Sequence, residues 1–282
     1  MKSVFGVIVG NRGFFPDILV KEGRQEILKT LGENDCEAVL LDTDQTELGA
    51  VVSIDDAKKC AKLFNENKEK IDGIIVTLPN FGEERGIADT FKMLDFQVPV
   101  LIQASPDDTD RLSLDRRRDS FCGKISTCNN LRQYNVPFSL TESHTVSLSS
   151  DEFKADLEKF KGVCRVVKGM KKARIGAIGA RPAAFITVRY SEKILADKGI
   201  TVETIDLSDI FGQIEKLSDG DSAVKDKLNA VKEYSVTGSV PAEALTKMAK
   251  LGVVMDRFIE ENELDATAVQ CWTAMEEYFG VV

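Results

Sequence analysis

The sequence predicts an α/β fold: two consecutive domains whose parallel sheets are flanked by helices. Three observations predict it. Short runs that are apolar on both faces alternate with stretches carrying apolar residues at helical spacing, the pattern of a parallel sheet covered on both sides. The alternation lapses after a long helix and restarts near residue 174. The chain of 282 residues is 43% hydrophobic and 29% charged, long enough for about two domains with substantial cores.

Residues 4–10 read as the first strand, ending in a glycine, and residues 17–31 as the helix that follows. The unit recurs as strand 37–41 with helix 55–67, strand 73–78 with helix 83–94, and strand 98–103. Between residues 105 and 120 the regularity fails: Pro106-Asp107-Asp108 and Asp115-Arg116-Arg117-Arg118-Asp119 predict a long loop, solvated or at a subunit contact. A helix over 121–134 and an extended stretch over 136–140 lead to a long helix reaching Lys171. Ser149-Ser150-Asp151 caps it, with Ser149 and Glu152 spaced as a capping box. The second series runs strand 174–178, helix 183–198, strand 202–207 and helical sequence from residue 208. Helices over 223–234 and 242–261 follow, the second with Pro241 at a first-turn position, then strand 266–269 and helix 272–279. The domains are therefore placed at 1–171 and 172–282. Gly280 is positioned to cap the last helix, and Val281-Val282 begins an apolar element that is not completed, so the chain is expected to be the front part of a longer protein.

Charge and composition exclude several function classes. With 37 Lys and Arg against 46 Asp and Glu, the formal charge is −9, which disfavours nucleic acid and anionic membranes as partners. The six cysteines are scattered through a chain without a secretory start, so they read as reduced thiols of a cytoplasmic protein. The first apolar run is too short for a signal peptide or a membrane span. One histidine, His144, excludes any site needing two imidazoles from one copy of the chain.

Two glycine-containing turns stand where open α/β sheets place their ligands. Gly10-Asn11-Arg12-Gly13-Phe14-Phe15-Pro16 follows the first strand, and its adjacent phenylalanines beside an arginine point to a ligand or a partner subunit rather than a plain turn. Gly6, Gly10 and Gly13 are spaced wrongly for a dinucleotide fingerprint. Gly176-Ala177-Ile178-Gly179-Ala180-Arg181-Pro182 occupies the corresponding turn of the second series, where a helix N-terminus and Arg181 could receive an anion or hydroxyls; close strand–helix packing is the equally weighted alternative. Neither turn is a P-loop. Cys122 and Cys128 are too far apart for a zinc pair and read as small thiols on a helix face, while Ser126, Thr127, Asn129 and Asn130 offer hydrogen bonds to a polyhydroxylated ligand or another subunit. Gln270-Cys271-Trp272 ends the last strand on the same ligand-binding edge. Glu276 and Glu277 read as a solvated helix face, and His144 as an incidental loop residue.

Longer runs carry a family resemblance. Gly-Asn-Arg-Gly-Phe-Phe-Pro (10–16), Glu-Gly-Arg (22–24), Cys-Gly-Lys-Ile-Ser (122–126), Cys-Asn-Asn-Leu-Arg-Gln-Tyr (128–134), Pro-Phe-Ser-Leu-Thr (137–141), Gly-Ala-Ile-Gly-Ala-Arg-Pro-Ala-Ala-Phe (176–185), Arg-Tyr-Ser-Glu-Lys (189–193) and Val-Gln-Cys-Trp (269–272) resemble the amino-terminal two thirds of L-fucose isomerase-like proteins, relatives of L-fucose and L-arabinose isomerases. The resemblance implies two Rossmann-like domains followed by a β-rich domain. It also implies a homo-oligomer, hexameric or trimer-based, with sites at subunit interfaces, and manganese-dependent aldose–ketose isomerisation through an enediol. It places the family's metal ligands, a glutamate, an aspartate and a histidine, after the last residue of this chain, so no catalytic or metal residue is expected within it and no activity is expected of it alone. By position in the motifs, Arg12 and Gln270 are the expected sugar contacts and Arg181 a weaker one. Arg12, Phe14 and His144 are placed to serve a neighbouring subunit's sugar.

A non-catalytic carbohydrate-binding protein on the same scaffold is the alternative reading. A nucleotide-dependent oxidoreductase is weakened by the missing glycine fingerprint. A purely structural, assembly-forming module is the remaining possibility.

Overall fold

The first β-α unit shows how local sequence builds the architecture. Strand β1 (Ser3–Val9) alternates its side chains across a sheet covered on both faces: Phe5, Val7 and Val9 join one buried cluster and Ile8 the other. Gly6 has no side chain because the Phe64 ring occupies the space a Cβ would need, at 3.0 Å. Helix α1 (Asp17–Glu33) buries Leu19, Gly23, Ile27 and Leu31, one residue per turn along a single stripe. Gly23 lets that stripe rest on Pro79, whose Cγ would lie 2.6 Å from an added Cβ.

The structure is a computed structural model that describes residues 2–270 and 273–280. The chain divides into two units, Met1–Lys168 and Gly169–Val282. In the first unit, β2 (Cys36–Val39), β3 (Gly73–Leu78), β4 (Val100–Ala104) and the short β5 (Ser139–Leu140) join β1 in an all-parallel sheet of order β2-β1-β3-β4-β5. Helices α1 and α5 (Asp151–Met170) supply Val20, Ile27, Phe153, Leu157 and Phe160 to one cluster. The opposite cluster holds Phe64 of α2 (Ile54–Glu66), Ile87 and Phe91 of α3 (Glu84–Lys92), and Leu131 of α4 (Ser120–Gln133). Helix α2 begins with a reciprocal capping box: the Ser53 hydroxyl accepts from the Asp56 N–H while the Asp56 carboxylate accepts from the Ser53 N–H.

In the second unit, β6 (Arg174–Ile178), β7 (Thr201–Ile205) and β8 (Ala266–Val269) form a parallel sheet of order β7-β6-β8. After α6 (Glu192–Asp197), helices α7 (Leu207–Glu215), α8 (Ser222–Tyr234) and α9 (Ala242–Glu261) build one core around Ile178, Ile210, Val254 and Phe258. Among the described residues, no helix is long and apolar enough to cross a membrane.

Four sequence expectations are corrected. The Ser149–Glu152 capping box is absent: the Ser150 hydroxyl caps α5 by accepting from the Phe153 N–H at 3.2 Å, while the Ser149 N–H donates to Glu26 on α1. The extended stretch at 136–140 pairs with β4 only at Ser139 and Leu140. No single helix covers 183–198: Pro182 opens a turn, a 3-10 turn follows at Ile186–Val188, and the helix begins only at Glu192 under the Ser191 cap. At 272–279 the described part is a π-helical turn, Met275–Phe279, which ends at Gly280 with φ +73°, while Cys271, Trp272, Val281 and Val282 lie outside the described residues.

Candidate functional site

Strand order locates two candidate sites before any side chain is considered. In β2-β1-β3-β4-β5 the connections leave for opposite faces after β1 and β3, which opens a crevice at the carboxyl ends of those strands. In β7-β6-β8 the chain passes from β7 back over β6 to β8, so the carboxyl ends of β6 and β8 lie side by side. Arg12 and Phe14 follow β1; Gly179 and Arg181 follow β6, and Gln270 follows β8.

At the first crevice the chain closes on itself. Asn80, fully buried, donates from Nδ2 to Asn11 Oδ1 at 2.8 Å, and its Oδ1 accepts from the Gly82 N–H at 3.0 Å. The Arg12 guanidinium lies 4.2 Å over the Phe81 ring, donates from Nε to the Gly82 carbonyl at 3.1 Å and pairs with Glu84 through Nη2 at 3.0 Å. Glu83 adds a second carboxylate 3.6 Å from Nε, and the Ser126 hydroxyl donates to the same Glu84 oxygen at 2.5 Å. Phe15 is buried with its ring 6.3 Å from Phe81, whereas Phe14 is 79% exposed. The two phenylalanines differ: Phe15 packs against the loop after β3, and Phe14 faces outward.

Helix α4 completes this edge. Gly123 allows the helix to touch the loop after β3, since a Cβ there would stand 1.7 Å from the Phe81 carbonyl oxygen. The next residue, the buried Lys124, donates from its ammonium to Thr141 Oγ1 at 2.7 Å and to the His144 carbonyl at 2.9 Å, and desolvation lowers its pKa. The loop that it grips is also held by Gln103, which donates to the Val146 carbonyl at 2.7 Å, and by the Asp156 carboxylate, which accepts from the Glu142 N–H. His144 is exposed and stacks on Phe121 with centroids 5.0 Å apart. Arg118, from the long charged loop, donates to the Pro79 carbonyl at 2.9 Å, and Arg116 pairs with Glu22 of α1, so that loop is fastened rather than merely solvated. Cys122 is exposed and Cys128 half-buried; the expectation of thiols packed on a helix face fails for the first.

The second crevice stays open. A cavity of about 400 Å3 lies at the carboxyl edge of β6 and β8, lined by Gly179, Ala180, Arg181, Phe185, Tyr190 and Gln270 among others. Gly179 has φ +78°, and an added Cβ would meet the Gln270 side chain at 2.6 Å. Gln270 Oε1 accepts from the Ala180 N–H at 2.8 Å, which fixes the amide orientation and leaves Nε2 as the donor. Arg181 donates from Nη1 to the Pro182 carbonyl at 2.8 Å and the Ala183 carbonyl at 3.1 Å. Among the described residues no α-helix begins beside this turn, so the expected helix N-terminus for an anion is not there; Arg181, Gln270 Nε2 and backbone amides are donors at this edge. Glu276 and Glu277 are both exposed.

The structure therefore groups Arg12 and Phe14 at one edge, with His144 on another loop of the same edge, and Arg181 with Gln270 at the other. Sequence reading passed over Asn80, Phe81, Glu83, Glu84 and Lys124. The first four follow β3, the strand paired with β1, and that adjacency is the signal that would have found them. Among the described residues no group of three His, Cys, Asp or Glu side chains is placed to hold a metal ion, so these residues do not fit a manganese site.

A family model described as fucose/sulfoquinovose isomerase, N-terminal domain, matches residues 6–171. Proteins named sulfoquinovose isomerase from Priestia aryabhattai and Priestia megaterium are each 26% identical over 275 residues, covering 96% of this chain and 57% of the relative. One of the same name from Alkalicoccus urumqiensis is 25% identical over 180 residues, 63% of this chain and 39% of the relative. The chain thus spans little more than half the length of the first two relatives. With most of its first unit and more than half of its length matched, the chain belongs to the fucose/sulfoquinovose isomerase family.

Proposed function

We propose that this chain is the amino-terminal, sugar-holding portion of a cytoplasmic aldose–ketose isomerase that works as a homo-oligomer. The observation that carries the reading is the likeness to sulfoquinovose isomerases over 96% of the chain, which includes the open cavity of the second unit. Aldose–ketose isomerisation moves a proton between C1 and C2 of an open-chain sugar through an enediol. In this reading the chain's own residues hold and orient that sugar: Gln270 donates from Nε2 to a hydroxyl, the Gly179-Ala180 backbone lets the ligand approach closely, and Phe185 and Tyr190 present apolar faces to its C–H groups. Arg12, Phe14 and His144, on the edge of the first unit, are assigned to sugar contact in a neighbouring subunit's site. Manganese in the complete enzyme is assigned to donors other than the described residues, which bring no such set together.

That donor-poor arrangement also favours a second reading, a non-catalytic carbohydrate-binding protein on the same scaffold. An isomerase assay of the 282-residue chain with manganese, alongside calorimetric titration of L-fucose, L-arabinose and sulfoquinovose, tests both. Sugar binding that weakens in Gln270→Leu, without turnover by the chain alone, is the expected result. Turnover by this chain alone would overturn the division of labour, and failure of every sugar to bind would overturn the sugar-holding role.

A further inference from the structure

The first unit carries a cavity at the edge opposite its candidate site. It has a volume of about 160 Å3 and lies at the amino ends of β3 and β4, where Ile74 and Val100 line it. The segment between α3 and β4 contributes Leu94, Phe96 and Val98 to one wall, and the end of α4 contributes Tyr134 and Val136 to the other. Each wall is fixed by hydrogen bonds of its own. On the first, Asn65 of α2 donates from Nδ2 to the Met93 carbonyl at 3.0 Å and accepts at Oδ1 from the Asp95 N–H at 3.1 Å. On the second, Asn135 has φ +57°, which lets the Val136 N–H return to the Leu131 carbonyl at 2.9 Å and closes the helix. The space is therefore preformed rather than a gap between loose loops. Lys92, the last residue of α3, also lines it, and its ammonium lies 4.8 Å over the Tyr134 ring on the facing wall. The nearest carboxylate, Asp89, is 3.9 Å from that ammonium and is shared with Arg85 at 3.7 Å, both beyond hydrogen-bond distance. Among the described residues no acidic side chain lines the cavity.

A space of this size between apolar side chains accepts one six-membered aromatic ring, and it disfavours a sugar, whose hydroxyls would give up water without finding partners. The ammonium at its wall, held only loosely by Asp89, offers charge-assisted hydrogen bonds to an acid group on such a ring. We infer that this cavity is a binding site for a monocyclic aromatic carboxylic acid, with the ring among Phe91, Phe96 and Val98 and the carboxylate on Lys92. The site is separate from both carboxyl-edge crevices and stands whether or not those hold a sugar.

The test is a titration of the 15N-labelled 282-residue chain with benzoate, benzyl alcohol and acetate, following the amide resonances of Leu94, Phe96, Val98 and Val136. Benzoate is expected to shift these resonances and to bind about tenfold tighter than benzyl alcohol, the factor that one charge-assisted hydrogen bond supplies. Acetate, which has the charge without the ring, is expected to leave them in place. In Lys92→Gln benzoate should bind no tighter than benzyl alcohol; Lys92 is exposed, so this variant is expected to fold. Val98→Phe, which brings a ring of its own to the cavity wall, should lose the response to both aromatic compounds. No response to benzoate would overturn the inference. So would equal affinity for benzoate and benzyl alcohol, acetate binding as tightly as benzoate, or a preference for benzoate that survives in Lys92→Gln.

Discussion

The two crevices both lie at the carboxyl edge of a parallel sheet and differ in what fills them. Between β1 and β3 the chain supplies its own occupants: Arg12 reaches across to Glu84 and Phe81, and Asn80 is bonded to Asn11. Between β6 and β8 the corresponding space is a cavity, with Gln270 bound to one backbone amide and Arg181 folded on its own loop. Strand order thus says where a ligand can sit, while the side chains of the neighbouring loop decide whether the place is already taken. The loop after β3 brings two glutamates and a phenylalanine to meet Arg12; nothing acidic lines the cavity around Arg181.

The sharpest way to break the closed crevice is at Gly123. An alanine Cβ would stand 1.7 Å from the Phe81 carbonyl oxygen and 2.5 Å from its carbon, both backbone atoms that cannot step aside like a flexible side chain. Gly123→Ala is expected to cost about 3 kcal/mol or more in chemical denaturation. Gly13→Ala, in the same crevice but with nothing within 4 Å of the added carbon, should change stability by less than about 0.5 kcal/mol. Equal effects at the two positions would show that α4 does not rest on the loop after β3.

Lys124→Met comes next. The variant keeps the length of the side chain but removes the donor that serves Thr141 Oγ1 and the His144 carbonyl. A loss of about 2 kcal/mol is expected, the cost of leaving partly buried acceptors unpaired. Hydrogen exchange should then quicken at residues 141–146 ahead of the rest of the first unit. A smaller effect belongs to Arg12→Ala, about 1 kcal/mol, because its ion pairs are a quarter exposed and partly screened, and only the Phe81 stacking and the Gly82 hydrogen bond are sheltered. Arg12→Lys should recover less than half of this, since an ammonium cannot stack and fork together. If Arg12→Ala leaves stability untouched, Arg12 does not brace the first crevice, and the contrast between the two edges disappears.

Most of the fold was legible because period and punctuation carry it. The bounds 73–78 and 266–269 read from apolar runs match β3 and β8. The misreadings share a physical origin. At 183–198 Ile186, Tyr190 and Ile194 stand at helical spacing, but these side chains are all more than half exposed, so no packing pulls the segment into one helix past Pro182. At the start of α5 two adjacent serines offered two registers, and the one that places Ser150 at the cap lets Ser149 bond Glu26 on α1, a long-range partner that local spacing cannot reveal. The candidate sites were half legible. Arg12 and Gln270 were singled out from their motifs, but whether an arginine is free or neutralised depends on residues about seventy positions away, as Glu83 and Glu84 are from Arg12.

The smallest expected effect separates the two edges by pH. Burial raises the Asp156 carboxyl above its usual 3.8, as the Glu142 N–H bonds only partly offset the loss of water. In the interval between 3.8 and the raised value, the folded state binds more protons than the unfolded state, so stability falls as pH rises through it. Asp156→Asn removes that titration while its amide oxygen can still accept from Glu142, so the variant should gain on the wild type as pH climbs through the interval, by less than about 1 kcal/mol. Lys124 acts with the opposite slope at the alkaline end. Its folded pKa lies below 10.5, so the unfolded state binds more protons in that interval and stability rises with pH until both forms are neutral. Denaturation midpoints of wild type, Asp156→Asn and Lys124→Met across the two ranges check both signs. The second crevice sets Arg181 and Asp206 at the surface, and Arg181→Gln should leave both slopes as they are. A slope that moves with Arg181 would mean that the open crevice carries a buried charge after all, and the difference between the two edges would have to be sought elsewhere.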